Sequence, residues 1–234
     1  MPVSPEQPAH NPHAKQTIQA VLFDHDGTLV DSEPLHFKFW SQVLTAYGVD
    51  LSESVFNTHY AGLPSITNAI DIVARFGLDQ SPESLVEYKN KATQAYLAHS
   101  AYPLMPGVEQ TILTLSHIGL ELGVVTGANN YSVGSTLRNY AFAQHFSVVV
   151  SADDVIHNKP EPDCYLLAVK KLGLAPEQCL AIEDTAHGLQ AALRAGIRCL
   201  AIPTHMSRLH DFSGAEAVLD DMEQALDYIQ KVNQ

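Results

Sequence analysis

Carboxylates stand close together at two points of the 234-residue chain, and a lysine lies between those points. Asp24 and Asp26 belong to the run Asp-His-Asp-Gly-Thr, and Glu183 and Asp184 are adjacent. Oxygen donors of this kind, without a Cys thiolate among them, suit Mg²⁺, which keeps several waters and often shares a substrate phosphate. A carboxylate beside such an ion and a cation such as Lys159 could form an aspartyl-phosphate intermediate.

Short apolar runs precede these segments. Five runs of four to six residues are typical of buried strands, and they occupy residues 19–23, 120–125, 146–150, 178–182 and 199–202. Helical periodicity fills the intervals between them, as at residues 108–118, 163–172 and 188–195. Apolar strands that alternate with helices predict an α/β protein with a doubly wound parallel sheet, a Rossmann-like core covered on both faces.

The predicted strands would deliver polar side chains to one edge of the sheet. In open parallel sheets, ligands bind beyond the carboxyl ends of the strands. The segments that follow the first four strands carry, in order, Asp24 with Asp26, Thr126 with Gly127, Lys159, and Glu183 with Asp184. A threonine hydroxyl and a lysine are suited to phosphate oxygens. The second carboxylate, on Asp26, could protonate a departing alkoxide and later deprotonate the attacking water.

One stretch of the chain contains helical patterns and no convincing strand. Its predicted helices follow Ser32, cover residues 65–76 and begin after Ser81. An insertion of about 65 residues after the first strand is too long for an ordinary loop and predicts a helical cap over the sheet edge. The sequence thus predicts a flexible tail at residues 1–16 and an α/β core made of residues 17–35 and 103–234. The inserted α-helical cap is predicted at residues 36–102.

The composition excludes several classes of partner. The chain has 26 acidic and 13 basic residues, a formal charge of −13, which argues against nucleic acid or an anionic membrane. No apolar run approaches the roughly 18 to 20 residues that span a bilayer. The three cysteines have no CxxC spacing and are expected to be reduced and mostly buried, as in a cytoplasmic protein.

The polar segments, taken together, resemble the four motifs of the haloacid dehalogenase superfamily. The motifs are carried by residues 24–28, Thr126, Lys159 with Pro160, and Glu183 with Asp184, and the similarity covers about Gln19 to Ile202. The helical insert resembles the cap of the β-phosphoglucomutase-like branch. The resemblance implies a Mg²⁺-dependent phosphatase of small phosphorylated metabolites, with sugar phosphates as the expected substrates. A monomer or a weak dimer is expected.

The resemblance also implies a role for each motif residue. Asp24 would be the nucleophile and a metal ligand. Asp26 would be the general acid and base, and would bind the metal through its backbone carbonyl. Asp184 would complete the metal site, with Glu183 as an outer or alternate ligand. The transferred phosphoryl group would be bound by Thr126, Gly127 and Lys159.

Three residues of the cap region could contact the substrate. His36 begins a segment similar to one in β-phosphoglucomutase and related phosphatases, in which the histidine faces the acid/base aspartate; packing beside Trp40 is the alternative. Lys89 falls near the position of a lysine that contacts sugar hydroxyls in the mutase. The alternative is an ordinary helix lysine that is solvated. Gly62 would mark the substrate-facing loop of the cap. Three further histidines border the site and are expected to be solvated, namely His25, His157 and His187.

Other functions fit the sequence less well. A phosphosugar mutase must hold a second phosphate, and the mutase pattern has an arginine shortly after the Gly62 position, where this chain reads Leu-Pro-Ser-Ile. Dehalogenase chemistry needs neither Mg²⁺ nor a second aspartate, so the presence of Asp26 argues against a dehalogenase. A phosphorylated receiver module combines an acidic pocket with Thr and Lys, but receivers are shorter and lack a helical insert after the first strand.

Overall fold

The computed structural model describes residues 17–234, in which six parallel strands form one sheet. The strands are β1 (Ala20–Phe23), β2 (Glu121–Val125), β3 (Val148–Val150), β4 (Cys179–Glu183), β5 (Arg198–Ala201) and β6 (Ala217–Val218). Their order is β3-β2-β1-β4-β5-β6, so the direction of winding reverses between β1 and β4. The predicted doubly wound α/β fold is confirmed, with all five predicted strands. The two-residue strand β6 was not predicted.

Helices connect the strands. They are α1 (Glu33–Thr45), α2 (Glu53–His59), α3 (Ser65–Phe76), α4 (Pro82–Leu97), α5 (Val108–His117), α6 (Asn130–Asn139), α7 (Asp163–Leu172), α8 (Ala186–Arg194) and α9 (Met222–Val232). The three helices predicted for the inserted stretch are present, and α2 is an additional one. Among residues 17–234, no helix combines the length and apolar character that crossing a membrane requires.

The sheet is buried on both faces because alternate residues of each strand enter different clusters. In β1, Val21 and Phe23 pack with α5 and α9, whereas Ala20 and Leu22 pack with α7 and α8. This two-sided burial is the reason that the strands are continuous apolar runs. All three cysteines lie in the second cluster as free, buried thiols, as expected.

The helices that follow β1 have a small core of their own. It is built on Trp40, Phe56, Ile72 and Leu85 with their neighbours, and it is separate from the two clusters on the sheet. The last turn of α4 is fixed to α6, where the Ser135 hydroxyl donates to the carbonyl oxygens of Leu97, at 3.2 Å, and Ser100, at 2.7 Å.

The predicted division of the chain stays a prediction. A separate apolar cluster within residues 36–102 is consistent with a cap, although α1 already begins at Glu33 and its Phe39 packs in a sheet cluster. The predicted flexible tail, residues 1–16, lies outside the described residues.

Gly123→Ala should destabilise the sheet. A Cβ at this position in β2 would lie 2.6 Å from both Leu22 Cδ2 and Val148 Cγ1, closer than carbon atoms pack. Overpacking a buried site of this kind costs about 1–3 kcal/mol of unfolding free energy, measured by urea denaturation. Gly134→Ala is the matched control, because its Cβ would meet only the end of the Arg138 side chain in α6 and alanine favours a helix. Equal stability of the two variants would contradict this account of the packing.

Candidate active site

The carboxyl ends of β1 and β4 bring three acidic residues together. Asp24 is the first residue after β1, and its N–H donates to Ile182 O at 3.0 Å, which extends the pairing with β4 by one residue. Glu183 ends β4 and Asp184 follows it. One carboxylate oxygen from each of the three residues lies within 4.8 Å of the other two. We call Asp24, Glu183 and Asp184 the acidic cluster.

Lys159 links the acidic cluster to the neighbouring strand. Its Nζ donates to Asp24 Oδ1 at 2.5 Å, to Glu183 Oε1 at 2.6 Å and to Val125 O at 2.8 Å. The three donors of the ammonium group are therefore all used. Tyr165 donates its hydroxyl proton to the same Glu183 oxygen at 2.6 Å. These contacts fix the lysine and the carboxylates relative to β2.

The cluster carries an excess of negative charge in a buried place. Burial raises the pKa of Asp24, and it raises the pKa of Asp184 further because the neighbouring carboxylates repel its charge. Burial disfavours the Lys159 ammonium, but Asp24 and Glu183 together hold its pKa above the usual value. Three acids around one lysine leave two carboxylates without a countercharge. Such an arrangement is stable when a cation or protons neutralise it.

The donor set fits a divalent cation. Asp184 Oδ1 and Glu183 Oε2 are buried and have no hydrogen-bond partner within the described residues. The turn at Gly27 also lies against Asp184: its φ is +83°, and a Cβ there would come within 2.3 Å of Asp184 Oδ2. Glycine is therefore required where the backbone approaches the cluster. The Asp26 side chain is not part of the cluster. A metal contact through its backbone carbonyl, which the family resemblance implies, stays a prediction.

Asp26 lies beside a buried histidine. The expectation that His25 is solvated is wrong, since the residue is fully buried. Its Nδ1 lies 3.6 Å from Asp26 Oδ1, and its Nε2 lies 2.9 Å from Thr136 Oγ1. Burial alone would raise the pKa of Asp26, but His25 holds it below its ordinary value. The other two histidines are exposed as expected, at positions 157 and 187.

Thr126 and Gly127 follow β2 next to Lys159, which bonds to the carbonyl of the preceding Val125. The Thr126 side chain is buried, and its Oγ1 accepts a hydrogen bond from Ala128 N at 3.0 Å. Gly127 is exposed, and a Cβ there would meet nothing within 4 Å. The loop after β2 therefore joins the lysine at the edge of the sheet.

Lys89 is buried, so the alternative of a solvated helix lysine is wrong. Its Nζ donates to Ser65 Oγ at 3.3 Å. Burial lowers the pKa of Lys89, and the carboxylates of Asp26 and Glu33 oppose that shift. The cap lysine thus lies within electrostatic reach of the residues that follow β1.

His36 lies in α1, and Gly62 contacts the first residue of the same helix. Burial, with the charge of Lys89, lowers the pKa of His36 to about 4, so its imidazole is neutral at pH 7. Its ring meets the Tyr102 ring edge-on, with centroids 5.5 Å apart. Gly62, with φ +73°, donates its N–H to Glu33 Oε1 at 3.1 Å. The His36 ring thus packs against Tyr102, whereas Trp40 belongs to the separate apolar cluster of the helices that follow β1.

Several polar residues of the site were not found from the sequence. Ser65, Tyr165 and Thr136 lie on helices, where a hydroxyl gives no local signal of a distant partner. Glu33 follows the predicted start of α1, and a carboxylate there is explained by the helix dipole alone. Its partner lies 29 positions away. Only the three-dimensional arrangement identifies these contacts.

The doubly wound sheet, with helices inserted after β1, carries a buried and charged centre at its carboxyl edge. Residues 21–202 match the family model described as haloacid dehalogenase-like hydrolase. The chain belongs to this family, which confirms the resemblance seen in the four sequence motifs.

Named relatives extend over most of the chain. Protein CbbY of Cereibacter sphaeroides is 32% identical over 213 residues, which are 87% of this chain and 92% of that protein. Fructose-1-phosphate phosphatase YqaB of Escherichia coli (strain K12) is 34% identical over 177 residues, 76% of this chain and 92% of that one. A crystal structure of a CbbY mutant from Rhodobacter sphaeroides, in complex with xylulose-(1,5)bisphosphate, has a TM-score of 0.75 at 28% identity and covers 88% of this chain and 95% of its own.

Glu33→Gln should remove a pH-dependent loss of stability. Burial raises the pKa of Glu33 from 4.5 to about 7, although the Gly62 N–H opposes the shift. Between these values the folded state holds the proton and the unfolded state does not, so the free energy of unfolding falls as the pH rises. A full shift corresponds to about 3 kcal/mol, which partial exposure of Glu33 reduces to about 1–2 kcal/mol.

Urea unfolding of both chains at about pH 5 and about pH 8 measures this effect. The glutamine cannot ionise, but its amide oxygen still accepts from Gly62, so the hydrogen bond is retained. The wild-type chain should lose more stability over the interval than the variant. An identical pH dependence in the two chains would contradict the assignment to Glu33.

Proposed function

We propose that this chain is a Mg²⁺-dependent phosphatase of small phosphorylated metabolites, with sugar phosphates as its substrates. The observation that carries the proposal is the acidic cluster with Lys159 at the carboxyl edge of the sheet, where three acidic side chains face one ammonium group. Membership of a hydrolase family and relatives that are named phosphatases support it.

Asp24 is the nucleophile in this proposal. Its carboxylate attacks the phosphorus of the substrate, the bond to the leaving oxygen breaks, and an aspartyl phosphate forms on Asp24. Mg²⁺, held by Asp24, Asp184 and the Asp26 carbonyl with Glu183 as a further ligand, would supply positive charge to the phosphoryl oxygens.

The remaining phosphate contacts come from the chain itself. Lys159 is charged, but its three donors are used within the free site, so a phosphoryl oxygen would have to replace one of their present acceptors, most directly Asp24 Oδ1. The Thr126 hydroxyl and the Gly127 backbone at the end of β2 bind the other oxygens.

Asp26 is the general acid and base. The pKa of Asp26 is low in the free chain, and the negative charge of a bound phosphate raises it, so Asp26 takes up a proton as the substrate binds. It gives this proton to the leaving alkoxide in the first step, and in the second step it takes a proton from the water that attacks the aspartyl phosphate. Its side chain is 33% exposed, so one part of the carboxyl group can reach the substrate while Oδ1 is buried.

Cap residues select the substrate in this proposal. Lys89 with Ser65 and the Gly62 loop present a buried cation, a hydroxyl and a backbone turn, which are groups that bind sugar hydroxyls. His36 is neutral and can exchange hydrogen bonds without adding charge. The sugar phosphates in the names of the relatives favour the same substrate class: fructose 1-phosphate for YqaB and the bound xylulose bisphosphate of the CbbY mutant.

Hydrolysis is favoured over transfer to a second hydroxyl. The loop after Gly62 supplies no arginine to hold a second, non-transferred phosphate. The helical insertion proposed as a cap, residues 36–102, separates the chain from receiver modules.

Removal of divalent cations should stop hydrolysis. The purified chain, assayed with 4-nitrophenyl phosphate by release of nitrophenol, should be active with Mg²⁺ and inactive with EDTA, and added Mg²⁺ should restore the activity. Without the cation, the excess negative charge of the acidic cluster repels the phosphate dianion. Undiminished turnover in excess EDTA would overturn the metal dependence.

Asp24→Asn should abolish turnover without unfolding the chain. The amide cannot act as the nucleophile, so kcat should fall by at least about 10³-fold. Thermal unfolding should show a melting temperature that is unchanged or higher, because one buried charge is removed from a repulsive cluster. Asp227→Asn, the same change on the exposed face of α9, should leave kcat unchanged. An active Asp24→Asn variant would exclude this residue as the nucleophile.

A further inference from the structure

Two buried polar atoms face each other beside the proposed acid/base residue. His25 Nδ1 and Asp26 Oδ1 are both inaccessible to solvent, and neither has a hydrogen-bond partner within the described residues. They are 3.6 Å apart, a little beyond the length of a hydrogen bond. A buried imidazole nitrogen and a buried carboxylate oxygen each cost free energy when unpaired, so each is the natural partner of the other.

The opposite side of the His25 ring is held by a helix. Nε2 lies 2.9 Å from Thr136 Oγ1, and this threonine is buried in the interior of α6. The first turn of α6 is capped by Asn129, whose side chain accepts from Ser132 N at 3.0 Å. The imidazole is therefore fixed between a rigid helix and the carboxyl group that follows β1.

Packing alone does not account for a histidine at this position. The ring is fully buried, and an aliphatic side chain would fill such a space without polar atoms to satisfy. One nitrogen meets a hydroxyl and the other meets a carboxylate, which is the arrangement that fixes a tautomer and a ring orientation. The series of contacts from Thr136 through His25 thus ends at the carboxyl group of Asp26, the proposed catalytic group.

We propose that His25 is a positioning residue for Asp26. The Nδ1–H group donates to Asp26 Oδ1, and Nε2 accepts from the Thr136 hydroxyl at 2.9 Å, in place of the longer 3.5 Å bond of that hydroxyl to Ser132 O. The other oxygen of Asp26 is thereby directed towards the leaving oxygen of the substrate. The proposal rests on the acid/base role given to Asp26 under the proposed function. It concerns the orientation of the carboxyl group and adds no chemical step.

Three substitutions at position 25 distinguish the contributions of the two ring nitrogens of His25. Asparagine places an amide nitrogen near the position of Nδ1 and loses the contact with Thr136. Glutamine reaches towards the position of Nε2 and loses the donor to Asp26. Leucine fills the space and loses both. Thr136→Val removes the other link, and Thr111→Val is its matched control, because Thr111 is also a buried helix threonine but its hydroxyl has no partner within the described residues.

The readout is kcat/KM for two phosphate esters that differ in their leaving group. Nitrophenolate leaves without a proton, whereas the phenolate of phenyl phosphate, with a pKa of about 10, needs more help from a general acid. kcat/KM reports the steps up to the release of the alcohol. Loss of orientation at Asp26 should therefore affect phenyl phosphate more, and simple loss of folded enzyme should affect both esters equally.

For His25→Leu and His25→Gln we expect kcat/KM for phenyl phosphate to fall about tenfold more than kcat/KM for 4-nitrophenyl phosphate. His25→Asn should stay within about threefold of the wild-type ratio. Thr136→Val should change the ratio in the same direction as leucine, and Thr111→Val should not change it. If His25→Leu does not fold, Thr136→Val and the comparison of asparagine with glutamine still decide the matter.

Each result has a definite meaning. An unchanged ratio in the leucine and glutamine variants, or an asparagine variant no better than glutamine, overturns the role of His25. The proposed function is judged separately by the wild-type chain and Asp24→Asn. If the wild-type chain hydrolyses neither ester, or if Asp24→Asn is active, the phosphatase assignment fails and the role of His25 fails with it.

Discussion

Repulsion between carboxylates that water does not surround is the constraint on which this structure depends. Asp24, Glu183 and Asp184 meet because β1 and β4 are neighbours, and the fold would not tolerate them without compensation. Lys159 compensates one charge and spends all its hydrogen bonds in doing so. The negative charge that is left over favours a cation at this site, which is the place that the proposed function gives to Mg²⁺ and to a phosphate that it can share. The same negative charge therefore destabilises the folded chain and favours the binding of a cation.

Much of the fold follows from local patterns in the sequence. Strands buried on both faces have to be apolar throughout, so five of the six were visible, and α3 has the bounds that its periodicity predicts. The two residues of β6 and the seven of α2 are too short for such a pattern. The meeting of Asp24 with Glu183 could be predicted because parallel strands end at a common edge. The catalytic roles of these residues stay predictions.

The surroundings of the site could not be predicted from the sequence, because they depend on contacts between distant segments. His25 stands between two aspartates in a polar loop, where exposure is the ordinary outcome, and it is buried because α6 covers it. Lys89 of α4 is buried and bonds to Ser65 of α3, a packing of two helices that no local pattern describes, and Glu33 meets Gly62, 29 positions away. Composition and spacing identify which groups are present near a site, and packing between elements decides their protonation and their partners.

Helix α6 contacts both the end of α4 and the His25 ring. On one side Tyr131 and Ser135 donate hydrogen bonds to carbonyl oxygens at the end of α4 and just beyond it, and on another side Thr136 meets the His25 ring. A tilt of this helix would shift the root of the cap and the imidazole beside Asp26 together. Under the proposed function, access to the site and the orientation of the Asp26 carboxyl group would both depend on α6, so a substitution on one side of this helix would affect the other side.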